Sequence, residues 1–216
     1  MTDPRIETLR ACYTGVVHDV MRAMGLRDFT LPPHLRPLDG SGVLAGPAWT
    51  VEGRIDETAD AHETLLAWTG LLSRAPAGHV WVCQPHNQRL ALMGELSAET
   101  LHARGILGCV VDGGTRDANF ILRLGFPVWH TFFTPRDVVG AWLPTGTERE
   151  IVIGEVAIAP GDWLHGDRDG MVRIPAARLD EVIAASQEAM QKENKVRTAI
   201  LAGTDPREAY LEHGKF

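Results

Sequence analysis

The sequence is poor in several features that define particular classes of protein. It has three cysteines in 216 residues, and Cys12, Cys83 and Cys109 lie far apart without a Cys-x-x-Cys pair. This spacing excludes a thiolate metal cluster, and Cys109 lies in an apolar run where a small buried side chain is expected. No apolar stretch approaches the ~20 residues needed to cross a bilayer. The N-terminal residues show no basic-then-apolar leader, so we expect a cytoplasmic protein without a membrane partner.

Basic charge is also scarce. Lys and Arg total 21 against 28 Asp and Glu, which gives a formal charge of −7. Proteins that hold nucleic acid regardless of its sequence do so through clusters of basic side chains, and none is visible here. The six tryptophans are scattered singly and form no stacking platform for bases. We therefore expect no nucleic-acid partner.

What the sequence does contain is typical of one globular domain. Hydrophobic residues make up 44% and charged residues 23%, and a chain of this size buries roughly 70% of its extended surface. There is no internal repeat and no shift in composition. We predict a single domain over 1–203, followed by a polar tail over 204–216 that is partly mobile or contacts a neighbouring subunit.

Apolar spacing predicts alternating strands and helices in the middle of the chain. In order, the predicted elements are a helix over 61–73, a strand over 80–83, a helix over 94–104, a strand over 107–111, a helix over 117–124 and a strand over 127–130. Such alternation is typical of βαβ units and predicts an α/β fold. We also expect two N-terminal helices with Thr14 capping the second, antiparallel strands within 151–174 that turn at Asp169-Gly170, and a helix over 176–201.

The most informative stretch runs from Asp112 to Asp117. A buried strand brings Asp112 to its carboxyl end, where open α/β sheets bind ligands, and Gly113-Gly114 permits a tight turn and close approach to a ligand. Arg116 and Asp117 then place a cation beside an anion. Arginine forks onto carboxylate or enolate oxygens, and aspartate binds hard divalent cations. Spacing alone favours the ordinary alternative, an Asp-Gly turn with a helix-capping Asp117 and a solvated Arg116.

A second stretch, Gly94-Glu95-Leu96-Ser97, lies at the predicted start of a helix. The N–H groups of a helix N-terminus suit a carboxylate or phosphate. Glu95 fits a metal ligand, directly or through water, because Mg²⁺ keeps several waters in protein sites. The alternative is ordinary, since glutamate favours a first helical turn for its interaction with the helix dipole.

Together these stretches resemble a known family. Gly94-Glu95, eight further residues, and Arg-Gly-x-x-Gly-x-Val-x-Asp-Gly-x-x-Arg-Asp over 104–117 are similar to the RraA-like superfamily, and Leu124-Gly-Phe-Pro-Val128 continues the likeness. That superfamily includes the class II 4-hydroxy-4-methyl-2-oxoglutarate/4-carboxy-4-hydroxy-2-oxoadipate aldolases. It also includes proteins that bind and inhibit ribonuclease E. Weaker matches in the same order extend over most of the chain.

The resemblance implies a ββα or αββα sandwich similar to swivelling phosphohistidine domains, assembled as trimers or hexamers with sites between subunits. It implies that Asp117 holds Mg²⁺ or Mn²⁺ directly, with Glu95 acting through metal-bound water and Glu193 of a neighbouring subunit joining the water shell. Arg116 is expected to bind the keto oxygen and stabilise the enolate. Backbone N–H groups of Gly94, Glu95, Leu96 and Ser97 are expected to hold the substrate's carboxylate.

Two functions from different classes follow from the resemblance. The first is metal-dependent cleavage of a 4-hydroxy-2-oxo acid to pyruvate, with oxaloacetate decarboxylation as a companion activity. The second is non-catalytic inhibition of ribonuclease E. The regulators typically lack the metal-binding Asp of the Arg-Asp pair, so Asp117 favours the enzyme.

One segment departs from the family pattern. Where many relatives are glycine-rich, this chain has Gln84-Pro-His86-Asn87-Gln88-Arg89. These polar side chains are expected to reshape the mouth of the pocket. His86 is either a substrate contact or an ordinary surface histidine.

Overall fold

The computed structural model of the protein describes residues 3–40 and 42–214. Residues 1, 2, 41, 215 and 216, which belong to the predicted domain and tail, lie outside the described residues. The α-helices are α1 Pro4–Arg10, α2 Thr14–Ala23, α3 Ala61–Arg74, α4 Glu95–Ala103, α5 Ala118–Leu124, α6 Leu179–Leu201 and α7 Pro206–His213. A short 3-10 helix, Ala176–Arg178, precedes α6.

The strands form one large sheet and two small ones. They are β1 Arg36–Pro37, β2 Leu44–Ile55, β3 Val80–Gln84, β4 Ala91–Met93, β5 Gly108–Val111, β6 Gly114–Thr115, β7 Val128–His130, β8 Phe132–Phe133, β9 Trp142–Thr147, β10 Ile151–Ile153, β11 Val156–Ile158, β12 Trp163–Gly166 and β13 Met171–Ile174. Within the described ranges, the large sheet has the order β1-β7-β5-β3-β2-β12-β13, with β9 also paired to β2. Strands β2, β3, β5 and β7 are parallel, and antiparallel strands flank them.

The large sheet is buried on both faces, because successive side chains of its central strands point in opposite directions. In β3, Trp81 and Cys83 pack with the apolar faces of α3, α4 and α5. Val80 and Val82 point the other way, into a cluster that includes the β10–β11 hairpin. A third cluster joins α1, α2 and α6 to the β12–β13 end. The predicted α/β sandwich is therefore confirmed, as are the antiparallel pair β12–β13 and the long C-terminal helix.

One local prediction was wrong. Thr14 does not cap α2: the N-cap position is Tyr13, and the Thr14 N–H donates to the Asp167 carboxylate at 2.8 Å, so a side chain distant in sequence does the capping. The described part of the predicted tail contains a helix, α7. Asp205 accepts the N–H groups of Arg207 and Glu208, and Pro206 occupies the first turn, which together start the helix.

A small parallel sheet, which sequence patterns did not predict, is central to the candidate site. Its order is β4-β6-β8, and its strands are two or three residues long. Gly94 directly follows the end of strand β4, Arg116 directly follows the end of β6, and β8 leads into the loop that contains Asp137. Because the carboxyl ends of parallel strands meet at one edge, these residues from distant parts of the chain converge there.

No helix of the described chain is both long and apolar enough to span a membrane.

Candidate metal and substrate site

Gly94 brings the two sequence motifs together. A Cβ at this position would lie 2.8 Å from Asp117 Oδ2 and 3.2 Å from both Cγ and Nε of Arg116. The φ of Gly94 is −143°, extended backbone open to any residue. Glycine is therefore needed for the close approach of the Arg116–Asp117 pair and not for an unusual backbone conformation.

Asp117 adopts a strained backbone conformation at the start of α5. Its φ is +56°, in the left-handed region that non-glycine residues rarely occupy, at a cost of about 1 kcal/mol or more. Its carboxylate makes no capping hydrogen bond to its own helix. It accepts instead the N–H of Glu95 at 3.1 Å and lies 3.4 Å from Arg116 Nε. Asp117 is thus directed at the N-terminus of α4, which favours negative charge.

Arg116 is held between two carboxylates. Its Nε faces Asp117, and its Nη1 donates to Asp137 Oδ2 at 3.1 Å. The Arg116 side chain is 38% exposed, so it is neither freely solvated nor buried. This arrangement differs from the ordinary alternative considered for the motif, in which Asp117 caps its helix and Arg116 points into solvent.

Asp137 is a site residue that sequence reasoning missed. It lies twenty residues after Asp117, and its Oδ1 accepts the N–H of Val139 at 3.2 Å, which fixes the loop that follows β8. No motif marks it. Only the topology indicated it. Strand β8 directly follows the strand predicted over 127–130, and as a third strand parallel to β4 and β6 it places the loop after it at the same edge of the small sheet.

A cavity of about 650 Å³ opens beside this cluster. It is lined by α3, the first turns of α4, the Arg116–Asp117 pair and the Asp137 loop, and its volume lies in the ordinary range for small-molecule sites. Glu95 lines it and is half-buried, Leu96 is largely exposed, and the Ser97 hydroxyl accepts the indole N–H of Trp68 at 3.0 Å. Arg116 and Asp117 also line a second depression of about 360 Å³ that includes Phe133.

The structure therefore brings together most of the predicted site residues. Gly94, Glu95, Leu96, Ser97, Arg116 and Asp117 all line the 650 Å³ cavity. Glu193 does not: it lies on α6 in a separate surface depression with Val196, Arg197, Ile200 and Leu201. Its predicted role involves a neighbouring subunit, and it stays a prediction.

Other predicted features have different surroundings. The paired glycines lie close to other parts of the chain, whereas a close approach to a ligand was expected. A Cβ at Gly113 would lie 2.9 Å from Pro85, and one at Gly114 would lie 2.7 Å from the Leu90 carbonyl oxygen. Asp112 accepts the Gln84 side-chain amide at 2.8 Å, away from the cavity.

The loop over 84–89 lies outside this cavity. His86 has a left-handed φ of +48° and its Nε2 lies 2.9 Å from Glu52 Oε1. The buried Asn87 holds the turn, because its side-chain oxygen accepts the N–H groups of Arg89 and Leu90. Within one chain this loop is a fixed surface turn and does not form the mouth of the cavity.

The oxygen donors at this site supply only part of the coordination shell that a divalent cation needs. Within residues 3–40 and 42–214, no three His, Cys, Asp or Glu side chains converge as a metal cage. The site instead offers the Asp117 carboxylate, 38% exposed at the cavity edge, with Glu95 next to it in the lining. A hard oxygen donor with room for solvent fits Mg²⁺ or Mn²⁺ that keeps most of its waters, and does not fit a fully protein-ligated metal.

Comparison with known proteins agrees with this fold. A family model described as RraA-like, Aldolase/RraA, matches residues 14–173, so the chain belongs to the RraA-like family. The protein named "Putative 4-hydroxy-4-methyl-2-oxoglutarate aldolase" of Halalkalibacterium halodurans is 26% identical, with 82% of this chain and 81% of that protein covered. The crystal structure of Streptomyces coelicolor RraAS2, described as an unusual member of the RNase ES inhibitor RraA family, is 25% identical with a TM-score of 0.79. That match covers 90% of this chain and 96% of that one.

One relative is considerably longer than this chain, and the match to another covers only part of both proteins. Protein DlpA of Legionella pneumophila is 26% identical over 94% of this chain, but the match spans only 33% of DlpA. The match to a Methanocaldococcus jannaschii relative is 35% identical and covers 55% of this chain and 56% of that protein.

Proposed function

We propose that the protein is a divalent-metal-dependent aldolase that cleaves a 4-hydroxy-2-oxo acid to pyruvate. The observation that carries this proposal is the packing of the Arg116–Asp117 pair against Gly94, at the N-terminus of α4 and at the edge of a cavity. Such a site combines a fixed cation, a metal-binding carboxylate and helix N–H groups. These are the groups that stabilise an enolate and its carboxylate.

Asp117 would hold Mg²⁺ or Mn²⁺ directly, with Glu95 and Glu193 of a neighbouring subunit contacting its waters. When bound, the cation would supply positive charge that offsets the charge developing on the enolate oxygen. Since sites between subunits follow from the family resemblance, we propose a trimer or hexamer as the active form.

Side chains and backbone groups of this chain would bind the keto oxygen and the carboxylate of the substrate. Arg116, fixed through Nε and Nη1 by two carboxylates, would direct its remaining N–H donors at the substrate's keto oxygen. The Glu95 N–H is already used by Asp117, so the N–H groups of Leu96 and Ser97 are the donors for the substrate's carboxylate. A fixed Arg116 needs little reorganisation as charge develops, which stabilises the transition state more than the bound substrate.

Cleavage requires loss of the C4 hydroxyl proton and breakage of the C3–C4 bond, with the electron pair retained on the pyruvate side. Loss of CO₂ from oxaloacetate leads to the same pyruvate enolate, so oxaloacetate decarboxylation is the expected companion activity.

The test is pyruvate release from oxaloacetate and several 4-hydroxy-2-oxo acids, followed with lactate dehydrogenase, with Mg²⁺, with Mn²⁺ and with a chelator. We expect metal-dependent release by the native chain and its loss in both Arg116→Ala and Asp117→Ala. Full activity in either variant would contradict the site assignment.

A second candidate, ribonuclease inhibition, is supported by the likeness to RraAS2. It predicts binding to ribonuclease E that does not depend on Asp117. Absence of metal-dependent pyruvate from every substrate, together with ribonuclease binding by both the native chain and Asp117→Ala, would favour it over the aldolase.

A further inference from the structure

Helix α3 lines one side of the 650 Å³ cavity, yet none of its residues has a role in the proposed reaction. Two buried residues of this helix, Thr64 and Trp68, carry hydrogen-bonding groups. They are four residues apart, so their side chains lie on the same face of the helix. One face of α3 thus presents two buried hydrogen-bonding groups to the elements packed against it.

Trp68 holds the first turn of α4. Its indole N–H donates to Ser97 Oγ at 3.0 Å. Its ring packs edge-on against Trp81 and Trp142, with centroids 5.9 Å apart in each pair, so its position is fixed by packing. The N–H groups of Leu96 and Ser97, the proposed donors to the substrate's carboxylate, belong to the turn that this hydrogen bond holds.

Thr64 holds the loop that contains Asp137. Its hydroxyl donates to the Ala61 carbonyl at 2.9 Å and accepts the Gly140 N–H, also at 2.9 Å. Gly140 has a left-handed φ of +66° and follows Asp137 by three residues. The Asp137 carboxylate in turn accepts Nη1 of Arg116. Thr64 is therefore linked through one short loop to the guanidinium that is proposed to bind the keto oxygen.

Both hydrogen bonds are internal to one chain and involve buried side chains. Thr64 is 1% exposed and Trp68 is 7% exposed. They therefore do not depend on what a neighbouring subunit adds to the site. Neither group is charged, so neither competes for the cation proposed at Asp117.

We propose that Thr64 and Trp68 are positioning residues for the aldolase reaction and that each supports a different part of it. This inference rests on the proposed function. Trp68 fixes the N–H groups for the substrate's carboxylate, which is bound equally in the ground state and in the transition state. Thr64 fixes Arg116, which acts mainly as charge develops on the enolate oxygen. Loss of the first interaction should raise KM, and loss of the second should lower kcat.

The first experiment removes the indole N–H and keeps an aromatic ring. In Trp68→Phe, assayed as the purified full chain with Mg²⁺, we expect KM for oxaloacetate to rise about fivefold, as for one lost hydrogen bond, and kcat to stay within about twofold of native. Ser97→Ala removes the acceptor and should raise KM to a similar extent. Trp68→Phe added to Ser97→Ala should raise it no further. Additive effects, or a native KM in Trp68→Phe, would overturn the role of this hydrogen bond.

Trp142→Phe is the matched control. The Trp142 indole N–H also makes a buried hydrogen bond, to the Pro85 carbonyl at 2.9 Å, within the same aromatic cluster but outside the cavity. This variant should lower the urea midpoint of unfolding as Trp68→Phe does, yet leave KM near its native value. An equal rise of KM in both variants would assign the effect to packing and overturn the proposal for Trp68.

The second experiment removes the Thr64 hydroxyl and keeps its shape. Thr64→Val should lower kcat about fivefold with KM within about twofold of native, and Thr64→Ser, which keeps the hydroxyl, should have native kcat. In an Asp137→Ala background, Thr64→Val should lower kcat no further. The control is Thr50→Val, because Thr50 is equally buried and its hydroxyl donates to the Arg149 carbonyl at 2.6 Å. An unchanged kcat in Thr64→Val, or the same fall in Thr50→Val, would overturn the proposal for Thr64.

The native chain and Asp117→Ala, assayed alongside, separate failure of this inference from failure of the proposed function. Metal-dependent activity that is lost in Asp117→Ala but is native in Trp68→Phe and Thr64→Val would overturn the inference and leave the aldolase proposal in place. Absence of metal-dependent pyruvate release by the native chain from every substrate would overturn both.

Discussion

Replacing Gly94 by alanine should reduce activity much more than stability. The new Cβ would lie 2.8 Å from Asp117 Oδ2, whereas ordinary contact begins at 3.4 Å, so the carboxylate must move by about 0.6 Å. The same Cβ would press on Cγ and Nε of Arg116 at 3.2 Å. One methyl group would thus displace both groups proposed to bind the metal and the keto oxygen.

The expected loss follows from the size of this displacement. Misplacement of catalytic groups by about 1 Å costs on the order of a hundredfold in rate, so we expect Gly94→Ala to lose between about 10-fold and 100-fold in kcat for pyruvate release. The extended φ of Gly94 suits alanine. The free energy of unfolding should therefore fall by only about 1 kcal/mol, from mild overpacking and a poorer N-cap residue.

The assay is metal-dependent oxaloacetate decarboxylation, with thermal and denaturant unfolding measured on the same samples. Gly15→Ala is the matched control, because a Cβ there would lie in ordinary contact with Tyr13 at 3.5 Å, in α2. Native activity in Gly94→Ala would refute the proposed geometry. A loss of activity explained entirely by unfolding would refute it equally.

Three further predictions concern Asp137, Asp167 and His165. Asp137→Ala should lower kcat for pyruvate release roughly tenfold by releasing Arg116, yet shift the melting temperature little because the ion pair is about 40% exposed; an unchanged kcat would exclude a positioning role. Asp167→Ala removes the acceptor for the Thr14 N–H and should lower the free energy of unfolding by about 1 kcal/mol, measured by urea denaturation; no loss would show that solvent replaces the cap. Burial lowers the pKa of His165, and the nearby Asp167 charge opposes this shift only in part. In the unfolded chain the histidine pKa is near 6.5, so below that pH the unfolded chain binds a proton that the folded chain does not. The contribution of this group to the free energy of unfolding should therefore be constant above about pH 6.5 and fall below it by up to about 1.4 kcal/mol per pH unit. His165→Phe should reduce this slope, as measured by denaturation curves at pH 7.5 and 5.5. An unaltered slope would show that other groups cause the pH dependence.

The elements with strong periodicity were predictable from the sequence. The strands β3 and β5 are mainly apolar runs, and Gly105 and Gly125 follow the ends of α4 and α5, so the α/β class and the central alternation were predicted correctly. The pairing of Glu95 with the Arg116–Asp117 pair was expected from the family resemblance, and the structure places all three at one cavity.

The remaining features depend on contacts between distant residues. Strands β4, β6 and β8 are two or three residues long, too short for an alternating pattern to be recognised, and β6 begins with a glycine. The role of Asp137 becomes visible only when β8 is placed beside β6. The cap on Thr14 likewise comes from Asp167, 153 residues away. Local propensity carries no information about such partners.

The central claim is that Arg116 and Asp117 form a metal-dependent site for the pyruvate enolate. The measurement that tests it most directly is exchange of the pyruvate methyl hydrogens in D₂O, followed by proton NMR, because it requires neither the physiological substrate nor its C4 substituent. The account predicts exchange by the native chain that depends on Mg²⁺ or Mn²⁺ and is lost in Arg116→Ala and in Asp117→Ala. Exchange that persists with a chelator, or that is equal in these variants and the native chain, would contradict it.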